Sequence, residues 1–140
     1  WIPKRLGEHR AEEGAYVWRT LWESGAIITN GTDVPVEDIS ALASYYSTVS
    51  RMMVIGEKFY PAQSLTREEA LKTYTINNAY AAFEEEIKGS ITPGKLADVV
   101  VLSQDIMTID EADIPNTEVV YTIVDGKIAY ENSALLSASR

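Results

Sequence analysis

Gly25-Ala26-Ile27-Ile28-Thr29-Asn30-Gly31-Thr32-Asp33-Val34-Pro35 is the stretch on which the reading of this chain turns. A short apolar run, Ala26–Thr29, has the length of a buried strand and runs into a turn at Asn30-Gly31, where Gly31 is free to take a positive φ. Asp33 follows at once. A carboxylate at the exit of a buried strand is where barrel enzymes place catalytic groups. A second stretch, Gly89-Ser90-Ile91-Thr92-Pro93-Gly94-Lys95-Leu96-Ala97-Asp98, closes a helical region with a Pro-Gly turn. It opens the wholly apolar strand Val99–Leu102.

Outward from these stretches the chain reads as alternating helix and strand. Ala15, Trp18, Leu21, Trp22 and Gly25 recur at three- and four-residue spacing, which predicts a helix over 11–23 stopped by Gly25. A second helix is predicted from Pro35, with Glu37 and Asp38 at its positive end. Its apolar stripe is Ile39, Leu42, Ala43, Tyr46, Val49 and Met53. Residues 56–64 read as a loop. Thr66-Arg67-Glu68-Glu69 fits a capping box and predicts a third helix carrying Ala70, Leu71 and Tyr74, which continues or restarts through Asn77-Asn78. Pro93-Gly94 fits a type II turn. Asp125-Gly126 between Val119–Val124 and Lys127–Tyr130 predicts a type I′ hairpin. Ser133 to Arg140 is expected to fray.

Composition narrows the function. The chain has 140 residues, 46% of them hydrophobic, and a formal net charge of −9. That predicts one foldable unit and argues against nucleic acid or an anionic membrane as partner. With no cysteine, disulfides and thiol catalysis are excluded. No apolar run approaches the ~20 residues of a membrane span. No signal peptide follows Lys4-Arg5, and a cytoplasmic location is expected. The first residue is Trp1, so the chain is expected to be a processed or cut piece.

Candidate chemistry is sparse. Asp33 has two readings. It is either a turn residue capping the helix that follows, or a metal ligand and general base, bound through one oxygen and taking a proton on the other. His9 is the single histidine. A metal site needs three or four protein ligands, so the chain is not expected to build a zinc site alone. Trp18 and Trp22 read as packing residues. Tyr45, Tyr46 and Arg51 either line a substrate pocket or, the preferred reading, cover a barrel surface. Ser64, Ser90 and Ser103 lack a G-x-S-x-G setting. Asp98 is expected to bond backbone N–H groups.

The ordered motifs resemble a known family. Leu6-Gly7-x-x-Arg10, Tyr16-x-Trp18-Arg19, Gly25-Ala26 and Gly31-Thr32-Asp33-x-Pro35-Val36 are followed by Arg51 and Thr66-x-Glu68-Glu69-Ala70-Leu71. Thr75-x-Asn77-x-Ala79, the Gly89 to Asp98 stretch and Val124-Asp125-Gly126-Lys127 complete the set. In this order they resemble the long metal-dependent amidohydrolases, in the branch that includes N-substituted formamide deformylase.

The resemblance implies an α/β fold: the C-terminal fragment of a (β/α)8 TIM barrel plus C-terminal strands of a small composite β-sandwich. Residues 1–88 would supply the last barrel strand and its helices, and 89–140 the sandwich strands with the hairpin. It also implies hydrolysis of a C–N bond in a small amide-type substrate with a divalent metal, zinc, in the full-length parent. Asp33 matches the aspartate after barrel strand 8, a metal ligand that would accept a proton from metal-bound water and return it to the leaving nitrogen. The family's other ligands lie upstream of this chain, and His9 matches none of them. The fragment itself is expected to be inactive, to bind no metal and to self-associate through faces that lost their barrel strands. The alternative is a non-catalytic α+β binding or assembly module derived from such an enzyme.

Overall fold

The computed structural model describes residues 2–138. Helices dominate the first part. α1 (Ile2–Leu6) and α2 (Glu8–Gly14) are short, and α3 (Trp18–Glu23) follows after a break. The single helix expected over 11–23 is thus two. Tyr16 has φ 56 between them, a left-handed conformation that no helix interior tolerates. α3 ends as expected, with Gly25 at φ 83.

No strand forms at Ala26–Thr29; the segment is irregular. The sheet found among the described residues is formed elsewhere. A strand needs backbone partners on at least one side, and none of the described residues supplies a ladder alongside 26–29.

The second helix starts later than the sequence predicts. Residues 34–36 form a turn with a cis Val34–Pro35 peptide, and α4 spans Ala41–Ser50. Its N-cap is Ser40, whose hydroxyl accepts from the Ala43 N–H. Ile39 and Met53 therefore fall outside the helix. The buried face carries Tyr45 and Thr48, with Leu42, Tyr46 and Val49 packed beside it.

α5 (Arg67–Tyr74) begins with the capping box formed as the sequence predicts: Thr66 accepts from the Glu69 N–H and Glu69 accepts from the Thr66 N–H. Residues 61–63 add a short 3-10 turn to the preceding loop. At Thr75 the helix breaks and restarts as α6 (Ile76–Ala81). Gly89 presses against α6 so closely that a Cβ there would lie 2.7 Å from the Ala79 Cβ and 3.0 Å from the Ile76 Cα. Only glycine fits.

β1 (Val99–Leu102), β2 (Val119–Val124) and β3 (Lys127–Glu131) form an antiparallel meander in the order β1-β2-β3. Asp125 and Gly126 take φ 50 and 73, the left-handed pair a type I′ turn requires. The turn is also latched from outside: Asp98 Oδ1 accepts the Asp125 N–H at 2.9 Å, and the Ala97 carbonyl accepts the Gly126 N–H at 3.0 Å. Pro93-Gly94 turns as predicted, with φ 95 at Gly94 and the Lys95 N–H on the Thr92 carbonyl. The expected frayed end is helical instead, as α7 (Ser133–Ala138); residues 139 and 140 lie outside the described residues.

One core joins the two parts. Tyr45, Leu65, Ala70, Ile106 and Ile114 are buried together, with Trp18, Trp22, Tyr74 and Leu102 against them. Arg67 donates to the carbonyls of Ile106 and Ile109 at 3.0 and 2.5 Å, tying α5 to the connection between β1 and β2. Other apolar side chains stay in water, among them Ile39, Phe83, Val100, Ile128 and Tyr130.

Candidate functional site

Asp33 sits at the tip of the segment that follows α3. It has φ 57, so the left-handed residue of this turn is Asp33 and not Gly31. Aspartate tolerates that conformation better than most residues, because its short polar side chain makes it less costly. The Asp33 carbonyl accepts from Val36 and Glu37 and closes the turn. Its carboxylate is exposed and accepts no hydrogen bond among the described residues. The capping reading of Asp33 is thereby removed, since Ser40 caps α4.

Just before Asp33 the chain is held by side-chain amides rather than by a sheet. Asn78 on α6 donates its Nδ2 to the Asn30 carbonyl at 2.9 Å, and its Oδ1 lies 3.3 Å from the Asn30 N–H. The same N–H also reaches the Thr73 carbonyl at 3.1 Å. Asn77 Nδ2 donates to the Ile28 carbonyl at 2.8 Å. On the other side Asn30 Nδ2 donates to Thr48 Oγ1 at 2.8 Å, and Ser44 Oγ donates to the Gly31 carbonyl at 3.3 Å. Asn30 Oδ1 accepts from the Gly31 N–H at 2.8 Å. These amides escape a sequence reading because Asn at helical spacing carries no signal of what it will bond. The Thr75-x-Asn77-x-Ala79 motif was the one trace of them.

Two arginines are held in fixed geometry outside this segment. Arg19 makes a two-pronged pair with Glu69, at 2.9 and 2.6 Å, while also donating to the Ser64 carbonyl. The Arg19 guanidinium, then the Thr66 donors, hold the Glu69 carboxyl down to about 2, and Glu69 in return raises Arg19. Arg51 ends α4 at φ 59. It is buried, at 4% exposure, and does not cover an outer surface as the sequence reading preferred. Its guanidinium stacks 4.2 Å from the Trp18 ring centre and donates Nε to the Phe59 carbonyl at 2.8 Å. Burial lowers its pKa. It borders a cleft of about 610 Å³ shared with Tyr16, Trp18, Glu37 and Phe59. Tyr45 is likewise buried, its hydroxyl donating to the Arg67 carbonyl.

The donor set of this chain does not fit a complete metal site. Among the described residues, no three His, Asp or Glu side chains converge on a point where a cation could sit. His9 is exposed on α2 and lies 3.1 Å from Glu13, at i,i+4 spacing. Among the described residues both Asp33 and Asp125 present exposed carboxylates from turns, and only Asp33 lies in the segment that α4 and α6 hold. Among the same residues no helix is long and apolar enough to cross a membrane.

Residues 1–130 match the Amidohydrolase family, and the chain belongs to that family. It is 34% identical over 136 residues to YtcJ of Bacillus subtilis, a protein provisionally named an amidohydrolase, covering 95% of this chain and 26% of that one. It is 35% identical over 130 residues to Protein LONG AFTER FAR-RED 3 of Arabidopsis thaliana, covering 92% and 22%. With N-substituted formamide deformylase of Arthrobacter pascens the identity is 29% over 127 residues, covering 91% and 23%. The chain thus spans about a quarter of the length of these relatives. In fold it is similar to an amidohydrolase from Thermotoga maritima, with a TM-score of 0.64 at 24% identity over 84% of this chain and 26% of that one. The fold is therefore α/β and amidohydrolase-like, of which this chain shows a three-stranded sheet and its helices, not a closed barrel.

Proposed function

We propose that this chain carries the proton-transfer aspartate of a metal-dependent amidohydrolase that cleaves the C–N bond of a small amide-type substrate. The observation that carries the reading is Asp33 itself. Its carboxylate is exposed and unpaired among the described residues, three residues after Asn30, which α6 holds at its peptide and α4 at its side chain. A carboxylate left free of structural duty, at the position where the family resemblance puts a catalytic one, is available for chemistry. The name of the Arthrobacter relative supports an amide-type substrate.

In the reaction Asp33 would take a proton from the attacking water. It would then deliver that proton to the nitrogen as the C–N bond breaks. A divalent cation, when bound, supplies a water whose pKa is lowered towards about 7. The remaining ligands would come from polypeptide outside this chain. Residues 1–88 would belong to the barrel and 89–140 to the accompanying sandwich. By itself the chain would be inactive and would associate through its exposed apolar residues.

The test is Asp33→Asn in the complete encoded protein. Asparagine keeps the left-handed turn and removes the base. Turnover should fall at least ~100-fold, the lower range for loss of a general base. Turnover near wild type would sink the assignment.

A further inference from the structure

Three residues before Asp33, the peptide of Asn30 is held by a side chain of α6. We infer that Asn78 is a positioning residue for Asp33, its carboxamide holding the Asn30 peptide from which the Asp33 turn springs. The inference rests on the reading of Asp33 as the proton-transfer group.

A peptide in a ladder is held by one acceptor for its N–H and one donor for its C=O. Asn78 presents both from one planar group, Oδ1 toward the Asn30 N–H and Nδ2 toward the Asn30 carbonyl. The carboxamide is half-buried, so water competes poorly for these bonds. Thr48, itself buried, grips the Asn30 side chain from α4. Asn30 is thus fixed at main chain and side chain by two helices that bracket it. Between Asn30 and Asp33 lie Gly31 and Thr32 alone, and the Gly31 ends are pinned by Asn30 Oδ1 and Ser44 Oγ. Any shift of Asn30 therefore passes to the Asp33 carboxylate with little slack. A misplacement of about 1 Å in a reacting group can cost ~100-fold in rate.

Asn78→Asp is the informative variant. It keeps size and the acceptor but turns the donor into a carboxylate oxygen facing the Asn30 carbonyl. In the complete encoded protein, kcat at neutral pH should fall at least tenfold with KM unchanged within threefold. The ratio of variant to wild-type kcat should rise toward acid, because the introduced carboxyl regains a donor once it is protonated. Hydrogen exchange should quicken at Asn30 and Gly31 but not in β2 and β3. Thr48→Val, which removes the grip on the Asn30 side chain, provides the second arm if Asn78→Asp lowers overall stability. It too should lower kcat and spare KM. Wild-type kcat in both variants, or an unchanged exchange pattern at 30–31, overturns the inference. Asp33→Asn run in parallel separates the failures. If that variant is dead while Asn78→Asp and Thr48→Val are active, the positioning role fails and the proton-transfer reading stands. If Asp33→Asn turns over normally, the reading beneath the inference fails.

Discussion

The β2–β3 hairpin and the segment leading to Asp33 are both turns flanked by apolar residues, and they are built by different means. In the hairpin each residue's partner is a near neighbour in sequence: Val124 pairs with Lys127 and Thr122 with Tyr130. Around Asp33 the partners lie 13 to 49 residues away, on α4, α5 and α6, and most are side chains. A ladder propagates from a turn that local residues specify. A segment held by side-chain amides exists only after the helices carrying them have docked. Each turn carries an exposed acidic residue, Asp125 in the first and Asp33 in the second. What differs is that the position of Asp33 depends on helices that are distant in sequence.

The largest effect is expected at Gly89. Gly89→Ala forces a Cβ into the α6 backbone at φ 88 and should cost about 3 kcal/mol or more. Because α6 carries Asn77 and Asn78, exchange at 28–31 should quicken before that of the hairpin; equal loss in both regions would show a single cooperative unit. Denaturant unfolding followed by exchange reads both.

Glu69 comes next. Its carboxyl is lowered from 4.5 to about 2, first by the Arg19 hydrogen bond. A depressed folded-state pKa gives stability that is full above 4.5 and lost as pH falls through about 2. Glu69→Gln should cost about 1–3 kcal/mol at pH 7 and flatten the acid limb of the stability curve. An acid limb identical to wild type would rule out the pair as its source.

Gly126→Ala should cost about 1–2 kcal/mol, through the left-handed strain at φ 73. It sharpens the contrast, because the loss should be confined to the hairpin, with exchange at 28–31 unchanged. The smallest effect is expected at Phe83, which is 93% exposed with φ 60. Phe83→Asn should be neutral or stabilise by up to about 1 kcal/mol in thermal melts, since asparagine accepts that backbone more readily. A marked loss would mean that Phe83 is covered by a second copy, which light scattering at rising concentration would detect.

The features legible in the sequence are those that short-range chemistry specifies. Asp125-Gly126 demands a type I′ turn, and the runs beside it pair antiparallel, with one register shift between Thr122 and Ile123. Thr66 and Glu69 cap their own helix three residues apart. Pro93-Gly94 turns because one residue fixes φ and the next permits a positive one. The family motifs, read in order, identified the lineage. The tertiary structure decided the rest: among the described residues no backbone lies alongside Ala26–Thr29, and an apolar run becomes a strand only beside a partner. It moved the second helix from Pro35 to Ala41, where Ser40 supplies a cap, and buried Arg51 against Trp18. It also brought Asn78, 48 residues away, onto Asn30. That pairing depends on how α6 docks, and a side-chain amide's partner is fixed by packing, not by its position in the sequence.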